Sequence, residues 1–276
     1  EQKWVLIVSI QKDGPTGGTG TSYFVGDFDG TTFTADPGKQ KWLDYGADNY
    51  AFVTWDNAPV GWGRRLGIGW MSNWQYAQQV PTSPWRSAMT VPRILELSGE
   101  ADRYTLHALP VPSLSSLRRS EHVLDSIMDG AERLRGAFSP AQCDIELQVD
   151  LEASTAASFG FTLSNAEGDR LEIAFDLEQK QVQVDRSASG PKGFSEVFFE
   201  GPHTAPLALE QPTLDLRILL DAASAEIFAN RGALNMTETF YPRSPYTELE
   251  VWTRGGALHL VDGLIHGMGS IWEPEP

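Results

Sequence analysis

Cysteine is almost absent from this chain: Cys143 is the single cysteine in 276 residues. One thiol excludes an intrachain disulfide and any CxxC-type metal or redox motif. The simplest expectation is that Cys143 is buried as a small apolar side chain. The cysteine count therefore says nothing about the compartment in which the protein works.

Positive charge is also scarce: the chain has 21 Lys and Arg residues against 37 Asp and Glu residues, which gives a net charge of -16. No basic stripe is available to displace phosphate counterions, which excludes a nucleic-acid partner. No apolar run approaches the ~20 residues that span a bilayer, and no signal-peptide pattern opens the chain. We therefore expect no membrane partner, whereas a neutral, hydroxylated partner such as a sugar is compatible with this charge.

Several catalytic and cofactor signatures are missing. The five histidines show no metal-ligand spacing, and there is no G-x-S-x-G elbow of a serine hydrolase. The glycine-rich segment 14–21 lacks the lysine of a phosphate loop and leads into a strand instead of a helix. It is either a flexible turn or a loop that lets the backbone approach a ligand. We expect no metal and no cofactor.

Short apolar and alternating segments, bounded by Gly, Pro, Asn and Asp, predict β-strands almost throughout. Clear examples are residues 4–10, 65–71, 143–149 and 214–220. Such regular spacing favours propeller blades or a sandwich over βαβ units. The stretch Ser120 to Leu134 is the exception, because a short helical turn is expected there.

The length of the chain suggests about two folding units. Residues 109–116 contain two prolines and three serines, which is typical of a linker. We predict one domain over residues 1–108, a linker over 109–116 and a β-sandwich over 117–276. Tryptophan is concentrated in the first domain, which implies a large aromatic core, a stacking surface, or both. The seven tryptophans before residue 86 are Trp4, Trp42, Trp55, Trp62, Trp70, Trp74 and Trp85.

Residues 44–51 place two carboxylates, Asp44 and Asp48, and two phenols, Tyr45 and Tyr50, around a glycine just before a strand. Sugar sites use such groups, because carboxylates accept hydrogen bonds from hydroxyl pairs and aromatic faces cover the C–H side of the ring. The alternative is a turn in which the Asp side chains bind local backbone amides.

Residues 69–76 bring Trp70, Asn73, Trp74 and Tyr76 close together. If the strand is regular, alternation sends Trp70, Ser72 and Trp74 to one face. One tryptophan could then border a pocket, or all of them could fill a core. The sequence leaves both interpretations open.

Taken together, these segments resemble glycoside hydrolase family 32, which contains the invertases, exo-inulinases and levanases. The similar segments, in chain order, are 3–6, 17–26, 44–51, 69–76, 81–86, 95–97, 184–187, 220–228 and 236–237. The resemblance implies an all-β fold: the last blades, about two, of a five-bladed β-propeller, followed by a C-terminal β-sandwich.

The resemblance also implies a substrate site. Trp74 would line the fructosyl subsite, with Asp48 and Tyr50 near the pocket, and the loop at Gly17 would border the leaving-group side. The full set of candidate substrate-binding residues is Trp74, Asp48, Tyr50, Asp44, Asn73, Gly17, Gly18 and Thr19.

The family cleaves terminal β-D-fructofuranosyl residues with retention, using an aspartate nucleophile and a glutamate acid/base about 5 Å apart. Their Asn-Asp-Pro and Glu-Cys-Pro segments, and an Arg-Asp-Pro segment, normally precede the strand at residues 3–6, and none occurs here. Glu1 lies too close to that strand to be the acid/base. We therefore expect no catalytic residue in this chain and an N-terminal propeller segment of the same enzyme as its partner, so that the chain alone is inactive.

The implied substrates are fructose-containing sugars such as sucrose, inulin and levan, and the implied location is extracellular or periplasmic. A homodimer is a further partner to consider. Two rivals remain open: a non-catalytic carbohydrate-binding or assembly module, and a fructosyltransferase of the same family.

Overall fold

The structure is a computed structural model and describes residues 2–38, 40–58, 64–100, 103–136 and 138–272. Within these residues the fold is all-β, as predicted, with two short 3-10 helices. None of the helices in the described ranges is long and apolar enough to cross a bilayer.

The N-terminal half consists of two small antiparallel sheets. The first contains β1 (Trp4–Ile10), β2 (Gly20–Phe28), β3 (Phe33–Ala35) and β4 (Lys41–Trp42), with the other three strands paired to β2. The second contains β5 (Tyr50–Thr54), β6 (Arg65–Met71), β7 (Ala88–Met89), β8 (Arg93–Ser98) and β9 (Thr105–Pro110). Its strand order is β5-β6-β8-β9, and β7 also pairs with β6.

A small shared core joins these two sheets. Tyr23 from β2, Phe52 from β5 and Leu106 from β9 are all buried in it. The backbone N–H of Leu106 also donates a hydrogen bond to the Tyr23 hydroxyl at 3.1 Å. The two sheets therefore pack against each other and are not independent hairpins.

The C-terminal half is a sandwich of two six-stranded antiparallel sheets. The order of the first is β10-β21-β12-β17-β18-β19 and that of the second is β11-β20-β13-β14-β15-β16. The bounds of these strands are β10 Arg118–Val123, β11 Gly130–Leu134, β12 Cys143–Asp150, β13 Ser158–Ser164, β14 Arg170–Asp176, β15 Gln181–Ala188, β16 His203–Pro206, β17 Thr213–Asp221, β18 Ser224–Ala229, β19 Leu234–Thr239, β20 Glu248–Arg254 and β21 His259–Met268.

Alternation explains why this sandwich forms. In β17 every second residue, from Leu214 to Leu220, points inward and is buried. In the facing sheet Phe159 of β13 stacks on Phe175 of β14, with ring centroids 4.9 Å apart. Each fully buried side chain of this size contributes about 1.5–3 kcal/mol, so the sandwich has the larger core of the two halves.

The connection between the halves is short. Residues 109 and 110, predicted as linker, are the last two of β9, and a 3-10 helix spans Pro112–Leu117 before β10 begins at Arg118. The expected helical turn in Ser120 to Leu134 is wrong. That stretch contains most of β10 and the whole of β11, because β10 pairs with β21 and β11 pairs with β20.

The early tryptophans lie mainly on surfaces and not in a core. Trp4, Trp55, Trp74 and Trp85 are between 42% and 52% exposed. Trp62 lies outside the described residues. Of the two expectations, a stacking surface is the one that the geometry favours.

Cys143 gives a direct test of the sandwich core. It is fully buried, and burial raises the pKa of its thiol to about 12. We expect a thiol reagent at pH 8 to leave native Cys143 unmodified and to label it on unfolding, as followed by absorbance or mass. Ser115→Cys, on the exposed face of the 3-10 helix, is the control that should react at once. Rapid labelling of Cys143 in the native chain would contradict the packing described here.

Candidate functional site

An exposed aromatic surface lies at the end of β6 and consists of Tyr50, Trp70 and Trp74. Trp74 is 52% exposed, and its ring packs against Trp70 with centroids 4.9 Å apart. Tyr50 contacts Trp70 edge-on at 6.3 Å, and Trp70 Nε1 donates to Ser87 Oγ at 2.6 Å. Trp70 is thus fixed from two sides and packs against one side of the Trp74 ring. The other side of Trp74 is exposed and available for stacking.

Trp74 does not lie on the strand. β6 ends at Met71, and residues 73–77 form a hydrogen-bonded turn, called here the Trp74 turn. The carbonyl of Asn73 accepts from the N–H of Tyr76 at 3.1 Å and of Ala77 at 2.9 Å. The alternation expected for Trp70, Ser72 and Trp74 therefore stops at the strand end, and the two indoles meet through the turn instead.

Asn73 connects three segments at the base of this turn. Its Oδ1 accepts from the backbone N–H of Thr19 at 3.2 Å and of Gln75 at 3.1 Å. Its Nδ2 donates to the carbonyls of Thr19 at 3.3 Å and Ala47 at 3.0 Å. With both amide hydrogens and both lone pairs of the carbonyl oxygen used, Asn73 holds loops together, and its side chain is fully buried.

The glycine loop, residues 14–19, is a closed turn. The N–H of Gly14 donates to the carbonyl of Gly18, and the N–H of Gly17 donates to that of Gly14. Gly17 and Gly18 have φ values of +79° and +68°, which glycine adopts readily and other residues do not. A Cβ on Gly18 would lie 2.5 Å from Asn73 Oδ1 and would also overlap Gln75. Thr19, the last residue of this loop, is buried.

Asp44 is turned away from the aromatic surface and into the boundary between the halves. Its Oδ2 accepts from Arg93 Nη1 at 2.9 Å and from Thr237 Oγ1 at 2.6 Å. Its Oδ1 accepts from the N–H of Thr237 at 2.8 Å, and Arg93 Nη2 reaches Glu226 of β18 at 2.7 Å. We call Asp44, Arg93, Glu226 and Thr237 the Arg93 cluster.

Asp48 makes an equivalent set of bonds with the sandwich. Its Oδ2 accepts from Arg186 Nη1 at 2.6 Å and from both the N–H and Oγ1 of Thr239 at 2.9 Å. Its Oδ1 accepts from the Tyr76 hydroxyl at 2.7 Å. Arg186 also lies 3.1 Å from Glu238. We call Asp48, Tyr76, Arg186, Glu238 and Thr239 the Arg186 cluster.

Both clusters are buried and ionic. Burial alone would lower the pKa of Arg186, but contact with Tyr76, Asp48 and Glu238 more than reverses that effect and raises it. Burial also raises the pKa of Tyr76 well above its usual value, so its hydroxyl keeps the proton that it donates to Asp48. These carboxylates accept hydrogen bonds within a fixed network and are not free to act as nucleophiles.

The predicted site residues therefore separate into two groups. Trp74, Tyr50, Gly17 and Gly18 lie at or beside the aromatic surface. Asp44, Asp48, Asn73 and Thr19 are buried beneath it, and the structure gives the two aspartates a role at the interface of the halves. Within the described part of the chain, no group of three or more His, Cys, Asp and Glu could hold a metal ion.

Sequence reasoning missed the arginines that organise this region. One signal was available: Arg186 is in phase with the buried Val182 and Val184 of β15, so an arginine occupies a core-facing position. A buried arginine requires acidic partners, but these partners lie far away in the chain. Asp48 is 138 residues from Arg186.

The glycine loop allows a matched test. We expect Gly18→Ala to lower the free energy of unfolding by about 1–3 kcal/mol more than Gly30→Ala, since the new methyl group must displace Asn73. Gly30 also has a positive φ, +97°, but a Cβ there meets nothing within 4 Å. Urea unfolding of both variants measures the difference, and equal losses would contradict the role given to Asn73.

Known proteins agree with this architecture. A family model described as "Glycosyl hydrolases family 32 N-terminal domain" matches residues 1–110, and "Glycosyl hydrolases family 32 C terminal" matches residues 113–266. The levanase of Bacillus subtilis (strain 168) is 36% identical in an alignment of 280 positions that covers 100% of this chain and 41% of that protein. The extracellular exo-inulinase of Aspergillus awamori is 31% identical, over 98% of this chain and 52% of that protein.

Solved structures show the same likeness. The crystal structure of the Aspergillus awamori exo-inulinase superposes with a TM-score of 0.86 at 30% identity and covers 98% of this chain and 54% of that one. A β-fructofuranosidase from Schwanniomyces occidentalis, complexed with fructosyl-erythritol, gives 0.83 at 27% identity, with 97% and 57% covered. The chain spans about half the length of these relatives. The chain belongs to glycoside hydrolase family 32, with propeller blades followed by the C-terminal sandwich.

Proposed function

We propose that this chain forms the sandwich and the last propeller blades of a hydrolase that releases terminal β-D-fructofuranosyl residues from sucrose, inulin or levan. The observation that carries the proposal is the half-exposed Trp74, supported by Trp70 and presented on a turn with a buried base. Relatives named levanase and exo-inulinase support the same substrate class.

In this proposal Trp74 covers the apolar C–H face of the terminal fructosyl unit. The Trp74 ring packs against Trp70, and Trp70 is contacted in turn by Tyr50. The glycine loop presents backbone groups near the leaving-group side, where side chains at Gly17 and Gly18 would obstruct approach. Stacking on a rigid aromatic ring suits a neutral sugar and needs no charge of opposite sign.

We propose that the catalytic carboxylates are supplied by an N-terminal propeller segment. Retaining cleavage requires a nucleophile and an acid/base about 5 Å apart. The two carboxylates of the segment just before Tyr50, Asp44 and Asp48, are each occupied by an arginine and a threonine. A carboxylate whose oxygens are engaged in this way is not free to attack an anomeric carbon, so the proposed chemistry needs other groups.

We also propose that the protein acts outside the cytoplasm, because several relatives are named extracellular exo-inulinase. The charge of -16 is compatible with a neutral polysaccharide substrate. No cofactor is required for the two-carboxylate mechanism.

The first test compares the 276-residue chain with the same chain joined to a segment that completes the propeller. We expect fructose release from sucrose, inulin and levan by the completed protein alone, measured as reducing sugar. Full activity of the 276-residue chain would contradict the proposed origin of the carboxylates. Sugar binding by both proteins without any release would favour a carbohydrate-binding module, and oligosaccharide products at high sucrose would favour fructosyl transfer.

The second test addresses the aromatic surface in the completed protein. We expect Trp74→Ala to lower kcat/KM about 10-fold to 100-fold, because a stacking contact of about 1.5–3 kcal/mol is lost. Trp55→Ala is the matched control: Trp55 is 42% exposed and follows the opposite end of β5 from Tyr50. An unchanged kcat and KM in Trp74→Ala would remove Trp74 from the site.

A further inference from the structure

We propose that Arg186 of the sandwich is a positioning residue for the sugar site, acting through Tyr76 on the turn that presents Trp74. The inference rests on the proposed function, since it assumes that Trp74 contacts the sugar. It adds to that function a second-domain residue that contacts no substrate and nevertheless controls the geometry of the site.

The first step concerns how little holds Trp74 itself. Half of its surface is exposed, and its ring packs on Trp70 at a tilted angle of 48°. Its orientation consequently depends on the backbone of the Trp74 turn, residues 73–77. Whatever fixes that turn therefore fixes the position from which the indole packs on Trp70.

The second step identifies Tyr76 as the buried anchor of the turn. Tyr76 is 2% exposed, two residues after Trp74, and its N–H bonds the carbonyl of Asn73. Its ring meets Phe198 of the sandwich edge-on, with centroids 5.0 Å apart. Its hydroxyl donates to Asp48 at 2.7 Å and accepts from Arg186 Nη2 at 2.9 Å.

The third step is that Arg186 is itself immobile. Its Nε donates to the carbonyl of Phe198 and its Nη1 to the carbonyl of Thr239, both at 3.1 Å. The guanidinium carbon lies 4.0 Å from the centroid of the Phe198 ring. A planar fork of this kind, bonded in several fixed directions, cannot be reproduced by the single ammonium of lysine. Arg186 thus holds the Tyr76 hydroxyl at a fixed position relative to the sandwich.

The Arg93 cluster shows that a buried arginine can join the two halves without contacting the Trp74 turn. Arg93 is equally buried and also joins the halves, through Asp44 and Glu226. Its hydrogen bonds run to Asp44, Glu226 and Thr237, and none of these is in the Trp74 turn. The Arg186 cluster differs because Tyr76 belongs both to the interface and to the turn.

The experiment uses the completed enzyme and Tyr76→Phe, which keeps the ring and removes the hydroxyl that links Arg186 to the turn. We expect a fall in kcat/KM for sucrose of about 10-fold, since small misplacements of positioning groups have effects of up to about 100-fold. Arg186→Lys, assayed where circular dichroism shows it folded, should show a similar fall. Tyr246→Phe is the matched control: its hydroxyl is buried in the sandwich with no hydrogen-bond partner in the described residues, so kcat/KM should not change.

The same substitution made in a Trp74→Ala protein distinguishes positioning of Trp74 from a simple loss of stability. If Arg186 acts through Trp74, Tyr76→Phe should have little further effect on kcat/KM in a Trp74→Ala protein, because the residue being positioned is already gone. Additive losses in the double variant would overturn the proposal. So would unchanged kinetics in Tyr76→Phe while Trp74→Ala is impaired, a result that leaves the proposed function intact. If Trp74→Ala itself has no effect, the proposed function and this inference fail together.

Discussion

Two buried arginines hold this structure together, because each binds carboxylates that come from both halves of the chain. Arg93 of the blades bonds Glu226 of the sandwich, and Arg186 of the sandwich bonds Asp48 of the blades. A buried guanidinium is tolerated only when its charge is paired and its N–H groups are hydrogen-bonded. Removing one partner from such a pair costs about 3–5 kcal/mol, since it leaves a buried charge without compensation. The relative position of the two halves is therefore closely specified.

The loop that carries Asp44 and Asp48 also covers a sheet edge. β19 is the last strand of its sheet, and unpaired edges invite association. Tyr45 donates its N–H to the carbonyl of Asn235, and Asp48 donates to that of Thr237, so the loop continues the hydrogen-bonding pattern. Gly46 is required between them because a Cβ there would overlap the backbone of Thr237. This short loop thus supplies hydrogen bonds to the edge of β19 and pairs both arginines. Through Asn73 it also supports the turn that carries Trp74.

Much of the fold could be predicted from the sequence. Period-two alternation and short apolar runs located strands such as Trp4–Ile10 and Arg65–Met71 with their observed bounds, because strand burial depends on local pattern. The order of segments also predicted the family. Alternation failed for residues 120–134, whose pattern is weak and whose strands exist because partners distant in the chain pair with them.

The candidate site was predictable only in part. The sequence singled out Trp74, which lies half-exposed on a turn after β6, and its contact with a sugar stays a prediction. For Asp44 and Asp48 chemistry alone was not decisive, because carboxylates beside phenols suit a sugar pocket and a buried ion pair equally well. The ion pairs themselves arise only in the tertiary structure, which brings Arg93 and Arg186 onto these carboxylates.

The interface between the halves can be tested directly by cutting the connection between them. A protease site placed in the exposed segment Pro112–Leu117 would allow cleavage of the folded chain, followed by size-exclusion chromatography at physiological salt. If the arginine clusters hold the halves together, the two fragments will elute as one species and separate only under denaturing conditions. Separate elution of two fragments that each keep native circular dichroism would contradict the account.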